Sequence, residues 1–195
     1  ALIGGLLAKG YAASQLRVME IAPEVRQRLI HQFGVVATAS LTEALAGAEV
    51  VLLAVKPQQL AGVAKQLAPH IGPRLVISIA AGIRAGDLSR WLGGHPRVVR
   101  AMPNTPALIR SGVTGLYALP GVSAEERGRA EAILGAAGSC LWVSSEELLD
   151  AVTGQLEETE LTTLDSLSKI GDADLATAIS ELLQKQQTLQ ATLQV

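Results

Sequence analysis

The run Arg100-Ala101-Met102-Pro103-Asn104-Thr105-Pro106 holds an amide and a hydroxyl between two prolines. Neither proline can donate a backbone N–H, and each restricts the residue before it, so the turn is stiff. The preceding Pro96-Arg97-Val98-Val99 is apolar and β-branched, as a buried strand requires. The prolines are expected to stop any ladder at that point. Polar groups fixed just past the carboxyl end of a strand stand where open α/β sheets bind ligands. The plainer reading is a connector between strand and helix.

Two further loops fall at the same kind of place. Val55-Lys56-Pro57-Gln58 and Ala80-Ala81-Gly82 each follow an apolar run. Small residues at Ala80, Ala81 and Gly82 would let a flat ring approach the backbone, and Lys56 could offer a charge to a phosphate. Each alone has a dull explanation, a solvated lysine and a strand exit, and their joint placement carries the weight. Glu20 ends the first recognisable strand, where an acid in a dinucleotide fold would bind a ribose 2′-hydroxyl. Arg26 and Arg28 lie close enough in sequence to meet a 2′-phosphate instead. His31, His95 and the single Cys140 have no metal-ligand spacing and read as structural, so no metal is expected. No catalytic acid, base or nucleophile can be named from the residues.

The elements that must position these loops alternate. A helix over 1–8 closes at Gly10, and Gln15 to Met19 reads as a short strand. Pro23 opens a helix to Phe33, closed by Gly34. Val35 to Ala37 is extended, and Ser40 with Glu43 forms a capping box for a helix to Leu45. Glu49 to Val55 is apolar on both faces, as a central parallel strand should be. A helix to Ala68, a strand from Arg74 to Ile79 and a helix from Ala85 to Leu92 lead to the Pro-bounded turn. Gly112 to Leu119 is a strand, Ser123 and Glu126 box a helix to Ala137, and Gly138 to Val143 is the last strand. Such alternation argues an α/β fold with a doubly wound parallel sheet and right-handed crossovers.

Beyond residue 154 the character changes. Leu175, Ile179, Leu182, Gln186, Leu189 and Leu193 recur at spacings of four and three, a narrow heptad seam with one polar core site. Asp172 is placed to cap that helix. Residues 1–153 therefore read as one domain and 154–195 as a helical segment, a candidate coiled coil that needs a partner for its stripe.

Composition bounds the rest. Among 195 residues 49% are hydrophobic, 17% charged and only 3% aromatic, so aliphatic side chains must fill the interior. Mean hydropathy is +0.33, in keeping with a core-rich globular chain. A net charge of −2 gives no electrostatic footprint for nucleic acid or an anionic membrane. One cysteine excludes an internal disulfide. No apolar run approaches the roughly 20 residues of a membrane span. Ala1 to Ala8 lacks the flanks of a signal peptide, and it reads as a helix already under way.

Taken together, Val55-Lys56-Pro57-Gln58, Ser78-Ile79-Ala80-Ala81-Gly82-Ile83 and Val99 to Pro106 resemble pyrroline-5-carboxylate reductase. Gly112-Val113-Thr114-Gly115-Leu116-Tyr117-Ala118 and Asp150-Ala151-Val152-Thr153 continue the likeness over about residues 1–153. The resemblance implies a Rossmann-like domain, NADP or NAD as cofactor, and reduction of 1-pyrroline-5-carboxylate to proline in the cytoplasm. By position it implies cofactor contacts at Glu20, Val55, Lys56, Pro57, Ala80, Ala81, Gly82 and Asn104. Substrate contacts are implied at Met102, Pro103, Asn104 and Thr105.

Two departures qualify that expectation. The family opens with a strand and a Gly-x-Gly fingerprint, whereas here the sequence starts at the helix that would follow, so the fold is expected to lack its first strand. From Gly154 the family would continue with a Ser-Gly-Ser-Gly-Pro-Ala-Tyr motif and a long dimerising helical domain. Weak turnover or none is therefore expected. About residues 156–195 are instead similar to the C-terminal helix of flagellin and the hook–filament junction protein, as a splice of unrelated sequences would produce. That segment supports an alternative, a helical assembly module or homo-oligomer built through residues 156–195.

Overall fold

The computed structural model describes residues 2–103 and 112–151, and residues 1–149 form one compact unit. Asn104, Thr105 and the proposed seam over 156–195 lie outside the described residues. Helix α1 (Leu2–Ala8) ends at Gly10, whose φ of 91° is the left-handed conformation that glycine adopts without a Cβ clash. Strand β1 (Arg17–Met19) follows a single 3-10 turn, Ala13–Gln15. Gln15 thus belongs to the turn instead of the strand, because its side-chain oxygen accepts the Ala12 N–H at 3.0 Å and fastens it there.

Helix α2 (Pro23–Phe33) begins at its proline and ends at Gly34 in the left-handed region, as expected. After β2 (Val36–Thr38), Ser40 caps α3 (Leu41–Leu45) by accepting the Glu43 N–H. The second half of the expected box is absent. The Thr38 hydroxyl donates to the Glu43 carboxylate and accepts the Ser40 N–H, so Thr38 takes the place that Glu43 would have filled. Strand β3 (Val50–Leu53), α4 (Pro57–Leu67), β4 (Leu75–Ser78), α5 (Ala85–Trp91) and β5 (Val98–Pro103) complete the alternating part. Strand β6 (Gly112–Ala118), α6 (Ala124–Leu134) and β7 (Gly138–Trp142) follow, with the full Ser123/Glu126 capping box at the start of α6.

Five strands form one sheet in the order β3-β4-β5-β6-β7. All four residues of β4 are buried, with alternate side chains serving opposite faces. Val76 and Val98 pack with Leu60, Ala64 and Leu67 of α4 and Leu88 of α5. Leu75, Ile77, Val99 and Ala101 pack with Ala130 and Leu134 of α6. Helices thus cover both faces, which makes this the expected doubly wound, Rossmann-like α/β fold.

Three details differ from the sequence reading. Strand β5 runs through Pro103, which pairs with Thr114 and does not end the ladder before it. The β4–β5 ladder ends at Arg100, so on that side no partner waits for the N–H that Pro103 lacks. Strand β6 then returns antiparallel to β5. The connection spans only residues 104–111, short of the dozen or so that a parallel crossover needs. Third, β1 and β2 form a separate two-stranded parallel sheet, and no ladder joins β1 to β3 among the described residues. In the doubly wound order the place between those two edges belongs to a central strand. The edges are accordingly incompletely covered: Met19 and Val36 are exposed, and Val50 to Leu52 of the wholly apolar β3 are only half-buried.

Candidate active site

Parallel register brings two of the expected loops, and the Met102-Pro103 start of the third, to one end of the sheet. Leu53 pairs with Ser78, and Ser78 with Arg100. Val55 and Ala80 each lie two residues past the ends of β3 and β4, and Met102 lies two residues past Arg100 on β5, so all three stand toward the same end of the sheet. Met102 is also paired with Gly115 of β6.

Each loop has its own local cause. Pro57 is the first residue of α4, so Val55-Lys56 must leave β3 extended and turn sharply into the helix. Lys56 is exposed at the amino end of α4, and its side chain has no hydrogen-bond partner among the described residues. A cation there gains nothing from the helix dipole, and it is free to meet an anion beside the α4 N–H groups. Ala80 is buried, and its N–H donates to the Ser78 hydroxyl at 3.3 Å. Ala81 and Gly82 are exposed, and Gly82 has φ +72° with no atom within 4 Å of where a Cβ would stand. That leaves a clear approach to the backbone for a planar group. These features fit the reacting end of a dinucleotide: open backbone, small side chains and one unengaged cation.

Glu20 is placed differently. It follows β1, on the separate two-stranded sheet, and no ladder ties it to the β3–β5 loops. Its Oε1 accepts the Ala22 N–H at 2.9 Å, while Arg26 Nη1 donates to the carbonyls of Glu20 and Ile21, both at 2.8 Å.

Sequence reasoning missed the polar contact beneath those loops. Arg100, level with Ser78 and 2% exposed, reaches Glu146 Oε1 through Nη1 at 3.4 Å. The same oxygen accepts the Ala85 N–H of α5 at 2.8 Å. One carboxylate therefore neutralises a buried guanidinium and satisfies a donor in the first turn of a helix. Glu146 opens a helical turn over 146–151, where Ser145 Oγ accepts the Leu148 N–H. Arg84 meets the next acid, Glu147, at 3.3 Å on the surface. Hydrogen bonds from its own backbone and from Ser145 hold the Glu147 carboxyl below its usual range, with Arg84 adding to the effect. The local signal available was a pair of acids after Ser144-Ser145, a helix-start pattern, but their partners are remote in sequence.

The residues expected to be structural have ordinary packing roles. His95 is buried, and its Nε2 donates to the Arg74 carbonyl at 2.8 Å. His31 lies in the last turn of α2. Among the described residues no three His, Cys, Asp or Glu side chains gather as metal ligands. Cys140 on β7 is half-buried beside Glu131. Burial first, and the Glu131 carboxylate second, push its thiol from 9.0 up to about 11. The neutral thiol is favoured in the fold, so stability is fully present below pH 9 and is lost as pH rises toward 11. Iodoacetamide at pH 8 should alkylate Cys140 much more slowly in the folded chain than in urea, the rate climbing until about pH 11. Equal rates in both states would contradict this.

A family model described as "NADP oxidoreductase coenzyme F420-dependent" matches residues 1–82. The pyrroline-5-carboxylate reductase of Pseudomonas aeruginosa is 46% identical over 153 residues, covering 78% of this chain and 56% of that protein. That of Haemophilus influenzae is 40% identical over 154 residues. The chain thus spans about half the length of the curated relatives it matches. Among solved structures, a pyrroline-5-carboxylate reductase from Coxiella burnetii superposes with a TM-score of 0.77 at 32% identity, over 98% of this chain and 73% of that one. A Plasmodium falciparum pyrroline carboxylate reductase, solved with NADP bound, shares the fold at 18% identity and a TM-score of 0.70.

Proposed function

The chain belongs to the pyrroline-5-carboxylate reductase family, and from that premise we propose that it serves NAD(P)H-dependent reduction of 1-pyrroline-5-carboxylate to proline. The observation that carries this reading is the parallel register Leu53, Ser78 and Arg100, which brings Val55-Lys56, Ala80 to Gly82 and Met102-Pro103 toward one end of the sheet. Lys56, the start of α4 and Ala80 to Gly82 would hold the dinucleotide, which when bound would supply the hydride for the ring imine carbon, with the proton for the ring nitrogen coming from solvent. The chain's own part is to bind and orient. Lys56 and the start of α4 hold negative charge, and Ala80 to Gly82 give a flat ring access to the backbone. Met102 and Pro103 border the substrate, with Asn104 and Thr105 next in sequence.

We further read residues 1–153 as the cofactor-binding domain and 154–195 as a helical segment through which copies of the chain associate. The activity is assigned to the cytoplasm, and no helix among the described residues is long and apolar enough to cross a membrane. Neither nucleic acid nor membrane enters as a partner. The relatives support the reductase over a purely helical assembly module.

The test is loss of NADH or NADPH absorbance on adding pyrroline-5-carboxylate to the full chain. Substrate-dependent oxidation, even slow, supports the proposal. Dinucleotide binding that pyrroline-5-carboxylate neither oxidises nor alters at any concentration would overturn it in favour of a binding domain without chemistry. Gly82→Val tests the loop itself. A β-branched residue held at positive φ should lower stability by about 1–2 kcal/mol and weaken dinucleotide binding more than it lowers the urea midpoint would suggest. Unchanged binding would remove Gly82 from the site.

A further inference from the structure

We propose that Glu146 is a positioning residue of the site, its carboxylate holding the Ala80 to Gly82 loop and the exit of β5 at a fixed separation. The inference rests on the reductase reading above and adds a residue that touches neither cofactor nor substrate and acts through others. One of the two segments is read as flanking the flat ring of the cofactor, the other as bordering the substrate. Their separation therefore sets how the reacting carbons meet, a distance to which hydride transfer is sensitive.

The loop is pinned at both ends. At its start the Ala80 N–H donates to the Ser78 hydroxyl at 3.3 Å. At its finish, three residues past Gly82, the N–H of buried Ala85 donates to Glu146 Oε1 at 2.8 Å. Between the pins, Gly82 has open space where a Cβ would stand, so packing does not fix the loop there. The same Glu146 oxygen lies 3.4 Å from Arg100 Nη1. Arg100 is paired with Ser78 on one side and Tyr117 on the other, two residues before Met102. Alternate residues of a strand share a face, so Val98, Arg100 and Met102 project to one side of the sheet. Val98 and Tyr117 pack there with α4 and α5. The side chains of Arg100 and Glu146 are 2% and 12% exposed, so solvent screens their contact little. A cap for α5 needs only the first contact, and an ion pair only the second. A single oxygen serving both makes the distance from the loop to β5 depend on one carboxylate. Glu147, the next acid, instead meets Arg84 at 3.3 Å on the surface.

The experiment is calorimetric titration of the full chain with NADH and NADPH, and beside them ADP-ribose and its 2′-phosphate, which lack only the nicotinamide. Glu146→Gln keeps an acceptor for the Ala85 N–H and removes the charge facing Arg100. Ala85→Pro removes the N–H itself, and proline suits the first position of a helix after the extended Arg84. Each change is expected to weaken the dinucleotides about tenfold, the scale of one hydrogen bond to a charged group. Binding of the nicotinamide-free ligands should stay within about twofold of the parent's. Glu147→Ala should alter neither class. A merely structural role would lower the urea midpoint and shift both classes together or neither. Titrations are run where the far-ultraviolet circular dichroism of each variant matches the parent's, so lost folding is not read as lost positioning. Equal loss for the two classes, or no loss in either variant, would overturn the proposal while leaving the reductase reading intact. A parent chain that binds none of the four ligands would overturn both.

Discussion

Replacing Glu146 with alanine is expected to lower unfolding free energy by about 3–5 kcal/mol. The change strips the facing carboxylate from Arg100, whose side chain is 2% exposed, and takes the acceptor from the Ala85 N–H. Removing one member of a buried pair costs more than the pair contributes, because the remaining charge stays desolvated with one partner fewer. Set against typical stabilities of about 5–15 kcal/mol, that loss leaves the fold marginal. Glu147→Ala is the control. Its pair with Arg84 is solvent-exposed, so the change should stay within about 1 kcal/mol. Urea denaturation of the two variants decides the matter, and similar midpoints would show that Arg100 is compensated elsewhere. Glu146→Gln should fall between them, because the amide oxygen still accepts from Ala85 while the charge is gone.

A second large effect is expected at Leu149, which is 0% exposed. Leu149→Ala should cost about 2–5 kcal/mol, the transfer of its side chain plus the cavity left behind. Its side chain fills the space over Gly115 of β6, where an added Cβ would come within 2.5 Å of Leu149 Cδ1. Gly115→Ala alone should therefore destabilise by about 1–3 kcal/mol through overpacking. In the Leu149→Ala background the same methyl enters empty space, and the sign should reverse. A double-mutant cycle measures this coupling directly. Additive effects would mean that the two residues do not share the site. The contact also seats the turn carrying Glu146, so the two predictions concern one structural unit: Leu149 anchors the turn and Glu146 faces Arg100.

Much of this was legible locally. Pro23, Gly34, Pro57, Ser123 and Glu126 carry their instructions within a few residues, and the helices begin or end where those residues say. The three carboxyl-end loops were legible because apolar runs followed by Lys-Pro, Ala-Ala-Gly and Met-Pro mark where strands stop. What was hidden depends on partners distant in the chain. Arg100 and Glu146 are 46 positions apart, and neither looks special alone. The antiparallel return of β6 follows from the shortness of 104–111, a length constraint with no residue signature. Pro103 was read as a barrier to pairing, though a strand can close on it. At Thr38 a residue outside the expected cap supplied the second half of the capping arrangement. Asn104 and Thr105, central to the sequence reading, lie outside the described residues, so their roles remain proposals resting on the loop that leads to them.

The interruption between β1 and β3 has a consequence for the order in which the fold opens. Two strands of three residues each form a marginal sheet, whereas β4 is buried along its whole length between paired neighbours. Backbone amides should therefore exchange with deuterium in two tiers, those of β1 and β2 well before those of β4 and β5. Glu20, which follows β1 and whose N–H donates to the Thr38 carbonyl of β2, opens with the faster tier. A ligand seated there would stabilise that tier by about 2.7 kcal/mol at a hundredfold excess over its Kd. Slowed exchange at 17–22 on adding dinucleotide would thus report occupancy of a part of the molecule that opens independently of its core.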